Sequence, residues 1–232
     1  MTEFRPLTIG IDATNLRGGG GVTHLLELLR VEQPLKHGIE RIVIWGSKST
    51  LNMCCNRSWL DKKTPSMLDK GLLKRTFWQR FRLAQAARDE GCDLLFVPGG
   101  SYAGDFYPVV TMSQNLLPFE TNELRRYGWT LFTLKLLLLR FIQSASFKKA
   151  DGVIFLTQYA RNVVLGFIGK LQGKTRIIPH GLNTRFYKEP KLQRPIADYD
   201  DAQPYRILYV SIIDQYKHQW HVAEAVSILR NK

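Results

Sequence analysis

The feature that most constrains this chain is a regular alternation of short apolar runs with segments of helical periodicity. Apolar runs bounded by turn residues are typical of strands, whereas apolar residues three and four positions apart are typical of one helix face. The pattern predicts strands at 7–11, 41–45, 94–97, 109–112, 153–156 and 176–178, and helices at 21–31, 72–88, 124–149 and 158–167. Since strands that alternate with helices form parallel sheets, we predict an α/β fold with a Rossmann-like, doubly wound parallel sheet.

The segment 188–204 interrupts this alternation. It holds three prolines, many charges and no apolar period, which is typical of an interdomain linker. We therefore predict a first domain at 1–187 and, at 205–232, the strand (207–210), loop and helix that begin a second Rossmann-like domain. The polar segment 56–70 is predicted to be a loop.

The composition restricts the partners. A net charge of +13 favours anionic partners such as nucleotide phosphates, acidic lipids or nucleic acid. Cys54, Cys55 and Cys92 form no CxxC pair, so we expect neither disulfides nor a metal site, and a cytoplasmic location. The apolar stretch 129–143 is interrupted by Lys135 and Arg140, which favours an amphipathic helix over a membrane span.

A glycine-rich loop, DATNLRGGGG, follows the first predicted strand. Without side chains, the backbone N–H groups at the start of the next helix can face an anion directly, so Gly20 and Gly21 are candidates for phosphate binding. The alternative is a flexible surface turn. The loop lacks the third glycine of a dinucleotide-binding fingerprint.

Polar residues also follow two later strands. Gln114 and Asn115 come after the strand at 109–112, and His180 and Gly181 come after the strand at 176–178. Ligands of parallel sheets bind at the carboxyl ends of strands, and amides and imidazoles suit ligands rich in hydroxyl groups. We predict that these residues bind sugar, while a packed or turn histidine is the alternative for His180.

The helix predicted at 72–88 has two faces, one of which could bind a membrane surface. Its apolar positions Leu73, Phe77, Phe81 and Ala84 are predicted to share one face. Four other residues share a second face and would present a tryptophan among cations to acidic headgroups: Lys74, Arg75, Trp78 and Arg82. The alternative is a solvated face with a cation–π contact.

Five motifs occur in one order: the glycine-rich loop, PVVTMSQNLLPFE, FKKADGVIFLTQYARNVV, IIPHGLNTRFY and ILYVSIIDQYKHQWHVAEAVSILR. This succession resembles the family 4 glycosyltransferases, which are retaining enzymes of the GT-B fold. The resemblance implies an N-terminal acceptor domain, a C-terminal domain for the nucleotide-sugar donor, and a reaction without a metal or other cofactor. It also implies a glycan or lipid-linked acceptor at the inner face of the cell membrane, in the synthesis of surface polysaccharide or lipopolysaccharide.

The resemblance assigns a donor diphosphate contact to Lys217, together with Gly20 and Gly21. Two departures stand out: Ser211-Ile212 replaces the Gly-Arg pair of the family, and Gln114 and Asn115 stand where the family has a histidine. The paired glutamates of the family are absent, so the catalytic residues are unknown. We expect the 232-residue chain to be a truncated enzyme, inactive alone.

Two other functions compete with this interpretation. The chain could be a non-catalytic module that binds an anionic glycan, or one chain of a split glycosyltransferase. Nucleic-acid binding is suggested only by the charge, and because no recognition motif accompanies it, we expect no nucleic-acid partner.

Overall fold

The computed structural model describes residues 5–30 and 33–230. Seven strands form one sheet: β1 (Leu7–Ala13), β2 (Ile39–Gly46), β3 (Leu60–Lys63), β4 (Leu94–Val97), β5 (Val109–Ser113), β6 (Gly152–Phe155) and β7 (Lys174–Ile177). The α-helices of these ranges are α1 (Gly19–Leu28), α2 (Lys48–Leu51), α3 (Leu72–Phe81), α4 (Leu83–Asp89), α5 (Thr121–Arg126), α6 (Leu131–Lys149), α7 (Gln158–Ile168) and α8 (Gln219–Arg230). Val31, the predicted end of the first helix, lies outside the described residues, as do 1–4 and 231–232.

The sheet has the order β3-β2-β1-β4-β5-β6-β7, and every neighbouring pair is parallel. The chain first builds outward from β1 to β3 and then returns to place β4 on the other side of β1. The strand order therefore reverses between β1 and β4, which is the point where open parallel sheets form a ligand crevice. This topology confirms the predicted Rossmann-like α/β fold.

Apolar side chains cover both faces of the sheet. On one face Trp45, Val97 and Phe155 pack with residues of α3, α4, α6 and α7, including Trp78 and Phe147. On the other face, the largest contributions come from the strand residues Ile11, Ile42 and Ile44 and from the α1 residues Val22, Leu25 and Leu29. A buried leucine contributes about 1.5–3 kcal/mol relative to an exposed one, so these contacts fix α1 on the sheet.

The segment 56–70 was predicted to be a loop, and this prediction is wrong for Leu60–Lys63, which is β3. β3 pairs only with β2 and lies at the edge of the sheet. Edge strands commonly carry charged residues, which prevent pairing with other chains. The sequence LDKK therefore has little of the apolar pattern that identifies an inner strand.

Two long predicted helices are each interrupted. The helix at 72–88 breaks at Arg82, whose φ of −120° lies outside the helical range, and so forms α3 and α4. The helix at 124–149 breaks at Gly128, whose φ of 62° is in the left-handed region that favours glycine. Thr130 then caps α6, because its side chain accepts a hydrogen bond from the amide of Thr133.

The C-terminal segment differs in part from the prediction. The residues 207–210 are exposed and join no strand of the described chain, so the predicted strand is wrong there. A strand requires a partner for its N–H and C=O groups, and no strand lies beside this segment. The predicted helix is present as α8. The predicted domain boundaries stay a prediction.

Contacts with α5 hold the residues before α8 in place. The Tyr127 hydroxyl donates a hydrogen bond to Asp214, and His218 Nε2 lies 3.3 Å from a carboxylate oxygen of Glu123. The guanidinium of Arg126 lies 5.7 Å from the Trp220 ring centre. Within residues 5–30 and 33–230, no helix combines the length and the apolar character that crossing a bilayer requires.

Candidate functional site

The carboxyl ends of β1 and β4 meet at the point of strand-order reversal, and a buried polar link joins the loops that follow them. Asp12 is the last residue but one of β1 and is only 3% exposed. Its carboxylate accepts a hydrogen bond from the Thr14 amide at 3.0 Å and another from the side-chain amide of Gln79, which lies on α3. The same Gln79 nitrogen donates to the Ser101 carbonyl at 2.9 Å. One glutamine therefore ties together the loop after β1, helix α3 and the loop after β4.

The electrostatics of Asp12 follow from its location. Burial raises the pKa of the Asp12 carboxyl, because a charge is poorly solvated there, and the hydrogen bonds from Thr14 and Gln79 oppose this shift. The carboxylate is enclosed by its donors and has little surface for a ligand. Asp12 and Gln79 therefore position the loops of the crevice. Neither residue was predicted from the sequence, although an acidic residue directly after a predicted apolar strand indicates a polar position at the carboxyl end of the sheet.

The glycine-rich loop lies beside the loop that follows β5. A β-carbon added to Gly21 would be 3.5 Å from the side-chain oxygen of Gln114 and 3.1 Å from a methyl carbon of Leu16. Nothing lies within 4 Å of the corresponding positions at Gly18, Gly19 and Gly20. The structure thus brings Gly21 and Gln114 together and leaves the start of α1 open on one side.

The side chains of Gln114 and Asn115 have different surroundings. The Gln114 amide lies 3.3 Å from the Met112 sulfur, a weak acceptor, so its polar atoms have few strong protein partners. Asn115 is exposed, and its side-chain oxygen accepts a hydrogen bond from the Leu117 amide at 3.1 Å, which stabilises a turn. Gln114 is consequently the better placed of the two for contact with a ligand hydroxyl.

His180 reaches α1 from the far edge of the sheet. Its ring centre lies 4.7 Å from that of His24, and the nearby Asn183 amide donates to Glu27 at 3.3 Å. Burial and the neighbouring His180 lower the pKa of His24. The segment after β7 therefore crosses back to the helix that follows the glycine-rich loop, with Gly181 exposed within it. His24 was not predicted from the sequence, because its contact with His180 forms only when the segment after β7 packs against α1.

Lys217 lies in the short helical turn that precedes α8. Its ammonium is 4.6 Å from the Tyr216 ring centre, and its carbonyl accepts a hydrogen bond from the Tyr209 hydroxyl. In the part of the chain that the structure describes, no hydrogen bond or ion pair joins Lys217 to Gly20 or Gly21. Because an ammonium and backbone N–H groups are all donors, no direct bond between them is expected, and their shared role in diphosphate binding stays a prediction.

The face of α3 predicted to meet a membrane is wrong at two of its residues. Trp78 is only 6% exposed and packs in the core, and Arg75 is half-buried, with its guanidinium donating to the Thr14 carbonyl at 3.3 Å. Lys74 and Arg82 are exposed as predicted. On the other predicted face, Phe77 and Phe81 are 50% and 61% exposed, whereas Ala84 is buried. Trp78 and Leu83 fill the space above the sheet, and this contact turns the two phenylalanines outward.

A second concave feature lies on the sheet face beside α1. This cavity of about 370 Å³ is lined by apolar strand residues and by His24 and Ile178; the strand residues include Ile9, Leu94, Phe96, Val110, Met112 and Ile154. Its lining offers few polar atoms to a hydroxyl-rich ligand. The crevice at the strand ends, by contrast, presents the Gln114 side-chain amide and the uncovered backbone N–H groups at the start of α1.

Across the described ranges, no group of three or more His, Cys, Asp or Glu side chains could hold a metal ion. The carboxyl-end crevice therefore offers backbone amides, neutral side-chain amides and arginines as its recognition groups.

The chain was compared with protein families, curated proteins and solved structures, and it is similar to some of the solved structures. No protein-family model matches the chain, and no curated protein matches it. Among solved structures, the chain is similar to one titled sucrose-phosphate synthase, from Thermosynechococcus elongatus, with a TM-score of 0.45 and 13% sequence identity. The match covers 76% of this chain and 90% of that one. Any assignment of function therefore rests on the residues and the geometry of the chain itself.

Proposed function

We propose that this chain is the acceptor-binding part of a glycosyltransferase that uses a nucleotide-sugar donor. The observation that carries the proposal is the crevice at the carboxyl ends of β1, β4 and β5, where the open glycine-rich loop lies beside Gln114. The motif order that resembles family 4 glycosyltransferases supports the same function. On this proposal the transfer retains the anomeric configuration and needs no metal ion.

The recognition chemistry supports a hydroxyl-rich acceptor. The Gln114 side chain supplies both a donor and an acceptor, and the N–H groups at the start of α1 supply donors that no side chain covers. Phosphate and hydroxyl oxygens are both suited to this arrangement, because the N-terminal end of a helix carries a partial positive charge. The link between Asp12, Gln79 and Ser101 keeps the walls of the crevice in place.

We further propose that the acceptor is linked to a lipid and that the chain associates with the inner face of the membrane. The supporting observation is a set of exposed apolar side chains on α3 and α6: Leu73, Phe77, Phe81, Leu131, Leu134, Leu138 and Phe141. The exposed cations Lys74, Arg80 and Arg82 lie among those of α3. Apolar residues beside cations are typical of helices that bind anionic membrane surfaces. Such a location is consistent with the synthesis of a surface polysaccharide.

Binding of a panel of neutral oligosaccharides, measured by calorimetry, tests the acceptor site. Replacing Gln114 by Ala removes a group of the crevice, and we expect affinity to fall about tenfold, the loss typical of a hydrogen bond to a ligand hydroxyl. Gln85→Ala is the matched control, because Gln85 is exposed on α4 and bonds only Asp89. Equal affinities for the two variants would contradict the proposed site.

A non-catalytic glycan-binding module is the second candidate. The observation in its favour is that 207–210 joins no strand of the described chain, so the unit predicted to begin a donor domain is not formed there. Release of nucleoside diphosphate from a panel of nucleotide sugars, measured with and without acceptor, separates the two. Acceptor-dependent release supports a transferase, whereas glycan binding without release supports the module.

A further inference from the structure

Two arginines cross between the loop after β1 and the segment that leads into α3. Arg17, in the loop, donates from its guanidinium to the carbonyls of Leu68 and, at 3.4 Å, of Lys70. Arg75, in the first turn of α3, reaches in the opposite direction and donates to the Thr14 carbonyl at 3.3 Å. Each side chain contacts the segment that bears the other, and the Arg17 charge lowers the pKa of Arg75, so the two guanidinium groups are neighbours beside the loop after β1.

Neither arginine has an acidic partner in the described ranges, since no carboxylate oxygen lies within 4.0 Å of Arg17 or Arg75 there. Two carboxylates of the same region already have donors: Asp12 accepts from Thr14 and Gln79, and Asp69 accepts from the Lys48 amide. Elsewhere the same chain pairs its arginines, as Arg41 does with Asp61 and Glu90. The charge of the crossing pair is therefore uncompensated.

A buried donor accompanies this pair. The Nε of Arg75 is shielded from solvent and has no hydrogen-bond partner among the described residues. Burial lowers the pKa of Arg75, and the adjacent Arg17 charge lowers it further, as expected for two like charges held together. A buried N–H without a partner costs stability, and an anion that accepted from it would both remove this cost and neutralise the repulsion.

We propose that Arg17 and Arg75 form a binding site for a phosphate group. Guanidinium groups bind phosphate oxygens through pairs of parallel hydrogen bonds, and two neighbouring arginines match the charge of a phosphate monoester or a diphosphate. The site lies at the start of α3, beside the exposed Leu72 and Leu73. Such surroundings suit a phosphate attached to an apolar chain.

The phosphate has two possible sources with the same chemistry: the acceptor, or the headgroup of a membrane phospholipid. Assigning it to the acceptor rests on the proposed transferase function, whereas the existence of the site does not.

Titration with inorganic phosphate, followed by amide NMR shifts at 14–18 and 68–75, tests the site directly. We expect Arg17→Gln and Arg75→Gln each to weaken phosphate binding about tenfold or more, because each removes a charged pair of donors. Arg88→Gln is the matched control: it makes the same change of charge at an exposed arginine of α4, whose guanidinium already pairs with Asp105. We expect less than a twofold effect from it.

An equal loss of affinity in all three variants would overturn the proposal, because it would show a response to net charge alone. An absence of phosphate-induced shifts at these amides in the wild type would overturn it as well. Arg17 is exposed, so Arg17→Gln is expected to fold even if Arg75→Gln does not, and circular dichroism checks both.

Two further arms distinguish the sources. Glycerol 3-phosphate is compared with glycerol, and vesicles of phosphatidic acid and phosphatidylcholine are compared with vesicles of phosphatidylcholine alone. A dependence on Arg17 in the vesicle arm only assigns the phosphate to a lipid headgroup. Oligosaccharide binding that still depends on Gln114 while phosphate binding is absent would refute this site and leave the proposed transferase function standing.

Discussion

Replacing Gln79 by Met tests whether one glutamine holds the crevice together. Gln79 is buried, and its side-chain nitrogen donates to the Asp12 carboxylate and to the Ser101 carbonyl. Methionine keeps a similar length and an apolar stem but supplies no donor. The variant therefore loses two buried hydrogen bonds with little change in packing volume.

The magnitude follows from the two partners. A hydrogen bond to a charged group contributes about 1.5–3 kcal/mol and a neutral one about 0.5–1.5 kcal/mol, so we expect the free energy of unfolding at neutral pH to fall by about 2–4.5 kcal/mol. This is a large part of the stability of a typical domain. Urea unfolding followed by tryptophan fluorescence measures the difference.

The effect depends on pH with a definite sign. The hydrogen bond from Gln79 lowers the pKa of Asp12 against the larger opposing effect of burial, so the variant has a still higher folded-state pKa. At neutral pH the Asp12 carboxylate of the variant is charged and buried without the Gln79 donor. Near pH 4 its protonation reduces the loss of stability. The destabilisation should shrink on acidification by about 1.4 kcal/mol for each unit by which the pKa rises.

Gln85→Met is the control, because Gln85 bonds Asp89 on the exposed side of α4 and should change stability by less than about 0.5 kcal/mol. The reasoning would be refuted if Gln79→Met cost less than about 1 kcal/mol, or if its cost were the same at both pH values.

Two further predictions concern α3 and α1. Trp78→Ala should lower the free energy of unfolding by about 3–5 kcal/mol, because it opens a cavity in the core. Phe77→Ala should lower it by about 1 kcal/mol or less and should instead weaken binding to anionic vesicles. Urea unfolding and vesicle sedimentation measure the two effects, and they would rank the variants in the opposite order if Trp78 faced the membrane. His24 has a pKa below its ordinary 6.5. The unfolded chain therefore takes up a proton first, and stability falls as the pH drops below about 6.5. His24→Gln should lose less stability between pH 7 and pH 5 than the wild type, and equal losses would contradict the packing against His180.

Most of the fold follows from the sequence, because inner strands of a parallel sheet are buried on both faces and read as continuous apolar runs. The strand β4, for example, has the bounds that the sequence predicts, 94–97. β3 could not be predicted in this way, since an edge strand such as LDKK is half solvated. The burial of Trp78 was not predicted, because periodicity alone does not distinguish which of two apolar stripes of α3, that of Phe77 or that of Trp78, meets the sheet.

The candidate site was predictable only in part. The proximity of Gly21 and Gln114 follows from topology, since loops after parallel strands meet at one edge. The tilted contact of the His24 and His180 rings and the crossing of Arg17 and Arg75 depend on contacts between distant segments. No local pattern specifies these contacts, so they required the structure.

The central claim is that a sugar acceptor binds at the carboxyl ends of the strands. Amide NMR of the isotope-labelled chain, titrated with an oligosaccharide that calorimetry shows to bind, tests it most directly. The account predicts shifts at Gly20, Gly21 and Gln114, with no change at Asp93 and Asp151, which precede β4 and β6 at the opposite edge. Shifts confined to that opposite edge, or to the apolar cavity around Phe96, would contradict it.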